Sequence, residues 1–234
     1  MLILFDLILV AGYLGHELFW QGRGYALRVL DLNGEHSVAA WYSSTKLAAV
    51  AVLFAVCGVV LKGRDIRKGT WAVMGLGGLF MLMSIDEAVQ VHEEIGKRAD
   101  ALLLSDGRAN SWFSMTGIWV FVVAPPAVVA LVWCFLRARR AWAGVPGVGV
   151  RLALGLTVFL AGAVLIEVFS NVSTAPSWLL MQIAIEEGFE MLGVSLVLWA
   201  ALDTAVYAIT GEVDHARPAQ EGSEAMPDAQ PVAA

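Results

Sequence analysis

The sequence predicts an all-α, polytopic integral membrane protein: a bundle of six transmembrane helices followed by a disordered C-terminal tail. Three observations carry that prediction. Of the 234 residues, 59% are hydrophobic and only 15% charged, where a soluble domain carries about a quarter charged. The mean hydropathy is +0.71. The apolar residues also gather into six runs, at 2–20, 38–61, 70–91, 112–136, 148–171 and 178–202. Each run is near the length of about 20 residues that crosses a bilayer.

The first run is a retained span rather than a signal peptide. It lacks a basic leading segment, carries Asp6, His16 and Glu17, and is not followed by a small-residue cleavage site. The second run holds one base, Lys46. The third has Gly75, Gly77 and Gly78, small residues that let helices approach closely, and ends in SIDEAVQVHEEIG, residues 84–96. The fourth contains Pro125-Pro126, which removes backbone donors and is expected to kink that span in mid-membrane. The fifth brings Glu167 and Asn171; the sixth brings Gln182, Glu186, Glu187, Glu190 and Gly193. Residues 212–234 are rich in Ala, Pro, Glu and Gln and read as a disordered cytoplasmic tail beyond a helical domain at 1–211. Trp20, Trp41, Trp112 and Trp178 fall near one interface, as belt anchors do.

Short loops after spans two and four hold Lys62, Arg64, Arg67 and Lys68, and Arg137, Arg139 and Arg140. On the opposite side Arg23, Arg28, Lys97, Arg98 and Arg108 are spread out among acids. The positive-inside rule puts the dense clusters, and with them both termini, in the cytoplasm of a cell with a bacterial-type inner membrane. The basic residues form no patch for nucleic acid. Cys57 and Cys134 lie within spans and form no loop disulfide framework.

Alternating span direction then aligns the acids. His16 and Glu17 end span one, Asp86 and Glu87 lie late in span three, Glu167 late in span five, and Glu186, Glu187 and Glu190 early in span six. All fall in one slab of the bilayer, away from the basic loops. At 100° per residue, Asp86, Glu87, Gln90, Glu93 and Glu94 occupy a wedge about 120° wide, and Gln182, Glu186 and Glu190 form a stripe. His92 points away from the Asp86 face unless the helix unwinds near Val91–Gly96. Glu93 with Lys97 and Glu94 with Arg98 have the spacing of ordinary surface pairs. IDEAVQ (85–90) and IEEGFE (185–190) look alike, but their flanks do not match at that offset, so a shared local task explains them better than duplication.

An ionised carboxylate in mid-membrane costs roughly 2.5–3.5 kcal/mol or more. Glu17, Asp86, Glu87, Glu167, Glu186, Glu187 and Glu190 face only Lys46, His16 and His92 as internal bases, so protons or metal ions must supply the balance. The first expectation is a metal-dependent membrane enzyme, a hydrolase or oxidoreductase acting on a lipid or other hydrophobic substrate. Carboxylate and imidazole donors suit Zn, Fe or Mn. The candidate ligands are His16, Glu17, Asp86, His92, Glu167, Glu186 and Glu190, with Glu87 or Glu187 as general base. The Glu-x-x-His pairs of soluble di-iron bundles are absent, and the histidine-glutamate pair at 16–17 is not part of HExxH. A proton- or cation-coupled transporter is the alternative. The third reading is a polar network that holds the bundle together or meets a partner subunit or a second copy. No phosphate-binding glycine loop, nucleophile elbow or CxxC is present.

Overall fold

The computed structural model describes residues 1–19, 29–34, 37–63, 69–104, 107–143 and 145–211. All regular structure among these residues is helical. Six helices are long and apolar enough to cross a membrane: Leu2–Phe19, Val38–Gly63, Thr70–Val89, Trp119–Ala138, Val148–Val172 and Pro176–Thr210. The protein is a multi-pass membrane protein. The expected tail at 212–234, Trp20, and the basic residues Arg23, Arg28, Arg64, Arg67 and Lys68 lie outside the described residues.

The second span packs along the third, the sixth against the fifth and second, and the first against the sixth. Their shared core includes Phe54, Leu61, Leu76, Phe80, Leu152 and Val197. A smaller cluster of Leu9, Tyr13, Leu32, Ala184 and Met191 ties the first span to the sixth. Outward faces are apolar too: Leu7, Val59, Leu82, Val150 and Val206 are exposed, as lipid-facing positions are.

The fifth and sixth spans touch backbone to backbone. A Cβ on Gly193 would sit 2.4 Å from the Phe159 nitrogen and 2.7 Å from its Cα, and no rotamer relieves a backbone clash. Gly193→Ala is therefore expected to cost about 2–3 kcal/mol, in the usual range for overpacking. A Cβ on Gly78 meets nothing within 4 Å, so Gly78→Ala should be neutral or slightly stabilising through helix propensity. Thermal unfolding in detergent separates the two; equal midpoints would show that the close approach is unimportant.

Three spans depart from regular α-helix. The third ends at Gln90, the one described non-glycine residue with a positive φ, 56°, and the chain restarts as a separate helix, Val91–Leu103. The fifth passes through a π-helical turn at Ala161–Ile166. The fourth begins seven residues later than the apolar run suggests. Residues 112–117 fold as turns, closed by the Gly117 N–H donating to the Phe113 carbonyl at 2.7 Å, with Gly117 at φ 72°. A short helix, Trp119–Val122, precedes the main one, Ala124–Ala138, in which the proline pair occupies the first turn. The proline pair thus coincides with an interruption of the fourth span at Val123, closer to one end of Trp119–Ala138 than to its middle. The physical reason is that first-turn N–H groups have no intrahelical partner, so proline loses nothing there.

Candidate functional site

All three irregularities border one cavity of about 550 Å³, which Gln90, Val123, Ala163 and Val164 help to line. Asp86, Glu87, Glu167, Glu186, Glu187 and Glu190 stand on its wall. They come from the third, fifth and sixth spans, and each is half-buried. Apolar side chains complete the lining, among them Leu47, Met83, Leu131, Phe159 and Leu160. Small residues permit this convergence. A Cβ on Gly162 would lie 2.8 Å from the Glu186 carbonyl oxygen and 2.9 Å from the Glu190 Cγ, so the π-helical turn lies directly on the acidic stretch of the sixth span.

His92 reaches the site because of the break at Gln90. The left-handed residue lets the new helix fold back, so that the His92 N–H donates to Asp86 Oδ1 at 2.8 Å and Nδ1 sits 2.7 Å from Oδ2. Its ring also packs on Trp119, with centroids 4.5 Å apart. Burial pulls the imidazole pKa down, but the Asp86 carboxylate outweighs it and holds the group above its usual range. A raised folded-state pKa contributes stability that is complete below the unfolded value, about 6.5, and is lost as pH rises through the folded value. Native protein should therefore lose thermal stability on going from pH 6 to mildly alkaline pH more steeply than His92→Gln does. Parallel curves would show that the pair carries no linkage.

Two of the expected site residues, His16 and Glu17, sit elsewhere. His16 and Glu17 pair with each other at 3.0 Å, and neither is on the cavity wall. Glu93 lines the cavity and also meets Lys97 at 3.3 Å, while Glu94 meets Arg98 at 3.1 Å on the exposed side. Asn171 fastens the 112–117 turns, accepting from the Met115 N–H at 3.1 Å and donating to Thr116 Oγ1 at 2.9 Å. Gln182 donates to Glu186.

The internal bases are already committed. Lys46 Nζ donates to Asp6 Oδ1 at 2.8 Å and to the Met191 carbonyl at 2.9 Å, and Ser195 Oγ donates to Asp6 Oδ2 at 2.6 Å. This buried unit joins spans one, two and six. Its sequence signal was a lone acid and a lone base, each in an otherwise apolar part of its span. Arg108, on the cavity wall, donates to the Ser114 and Met115 carbonyls and lies 3.9 Å from Asp100. Asp100 in turn accepts from the Ile118 N–H at 2.9 Å, so this arginine fastens a loop. Glu87, Glu167, Glu186, Glu187 and Glu190 have no ion-pair partner among the described residues. No group of three or more His, Cys, Asp and Glu among the described residues is arranged to hold a metal ion, so the metal-centre expectation gains no geometric support.

Residues 1–206 match the model of a family described as Domain of unknown function (DUF8692), and the chain belongs to that family. No curated protein and no solved structure matches it.

Proposed function

We propose that the chain is a proton- or cation-coupled membrane transporter, with the acidic cavity as its binding chamber and Glu87, Glu167, Glu186, Glu187 and Glu190 as its exchangeable carboxylates. Charge balance is the observation that carries this reading. Lys46 is held by Asp6, Asp86 by His92 and Arg108 by loop carbonyls, which leaves the five glutamates without a base among the described residues. A bare carboxylate at this depth is costly, so each glutamate holds a proton or faces a cation. Exchanging one for the other is the working step of coupled transport. The three helix breaks around the chamber support the same reading, since irregular backbone at membrane depth is tolerated where it lines a cavity. With the basic loops in the cytoplasm, the chamber lies in the outer half of an inner membrane and both termini lie inside.

The test uses liposomes reconstituted with the full chain, an internal pH dye and an imposed potassium diffusion potential, with sodium and an organic ammonium present. Proton movement several-fold faster than in empty vesicles is expected. A hydrophobic carbodiimide, which attaches to protonated buried carboxyls, should block it and mark cavity glutamates in peptide maps. Flux equal to that of empty vesicles, with no adduct on these residues, overturns the proposal.

A further inference from the structure

The chamber is larger and more mixed in character than a proton or a bare ion requires. Its volume of about 550 Å³ is that of a site for a small organic molecule, typically about 300–1,000 Å³. Its lining combines the glutamates with the apolar side chains of Leu47, Leu131, Phe159, Leu160 and Ala163. A hydrated inorganic cation would leave the apolar lining unsatisfied, and a neutral apolar molecule would leave the acids so.

We infer that the chamber binds an amphipathic organic cation, an ammonium group carrying an apolar chain or ring. The ammonium faces Glu186 and Glu190, and the apolar part lies on Leu131 and Phe159. This assignment rests on the transport reading of the same site and narrows it to a substrate class. The apolar lining sets chain length, and the acids set charge sign.

The test is direct binding to the full chain in lipid nanodiscs, with empty nanodiscs subtracted. The probes are methyl-, butyl- and hexylammonium, benzylammonium, hexanol, hexanoate and sodium. Affinity is expected to rise along the alkylammonium series by about fourfold per buried methylene. Hexylammonium and benzylammonium should bind at least an order of magnitude more tightly than hexanol, hexanoate or sodium. Glu190→Gln should weaken hexylammonium by an order of magnitude. Sodium or hexanol binding as tightly as hexylammonium overturns the inference, as does an unchanged hexylammonium affinity in Glu190→Gln. If Glu190→Gln fails to fold, the comparison of hexylammonium with hexanol and hexanoate on native protein decides alone. Carbodiimide-sensitive proton flux without ammonium selectivity overturns this inference and leaves the transport reading standing. Selective ammonium binding without any flux supports the ligand class and overturns transport.

Discussion

Lys46→Met is expected to lower the thermal unfolding midpoint by on the order of 10 °C. Lys46 and Asp6 are each 3% exposed and 2.8 Å apart. Removing the ammonium leaves a buried carboxylate supported by neutral hydroxyls such as that of Ser195, and breaking a buried pair from one side costs about 3–5 kcal/mol. Asp6→Asn should cost less, because Lys46 keeps the Met191 carbonyl, Ser195 Oγ at 3.2 Å and the face of Tyr42 at 4.2 Å. The double variant Asp6→Leu/Lys46→Met removes both charges and should recover most of the loss. Lys46→Met unfolding with the native midpoint would mean that Asp6 is neutral in the folded protein, and the description of an ion pair would fall.

Replacing a cavity glutamate should have the opposite effect on stability and a large effect on function. Glu190→Gln keeps shape and hydrogen bonding but can neither take up nor release a proton. Because Glu190 has no described base partner, the substitution removes a group that has to be neutralised without stranding another charge, so the unfolding midpoint should hold or rise. Proton movement in liposomes should fall by an order of magnitude, and Glu187→Gln should behave alike. A lower midpoint accompanied by loss of a stoichiometric divalent metal would sink this expectation and point to a metal centre.

The bundle was legible because hydropathy writes span length directly into the sequence; five of the six helices begin within two residues of their apolar runs. The fourth was misjudged because residues 112–117 are apolar enough to join it, while Gly117 and the proline pair decide by backbone geometry where the helix starts. Helical phase put Asp86 and Glu87 on one face and Glu186 and Glu190 on another, and both faces border the cavity. His92 required a break whose position no glycine or proline announced; Gln90 adopts the left-handed conformation instead. The Asp6–Lys46 unit was harder still, since pairing across helices depends on relative depth and rotation, which periodicity within one helix does not contain. Nor does any residue between Ala161 and Ile166 signal a π-helical turn.

A π-helical turn is, in effect, an α-helix carrying a surplus residue. Deleting one residue between Ala161 and Ile166 would let the fifth span close up as ordinary α-helix. Because the wide i→i+5 turn absorbs that residue locally, the helix on either side would keep its phase. Phe159 and Gly155, on the near side, would keep their seats against Gly193, and Glu167, on the far side, would keep its place on the chamber wall. What the surplus residue changes is the turn itself, which sets Gly162 against the Glu186 carbonyl and Glu190. A single-residue deletion would therefore reshape the backbone beside the glutamates while leaving the bundle assembled.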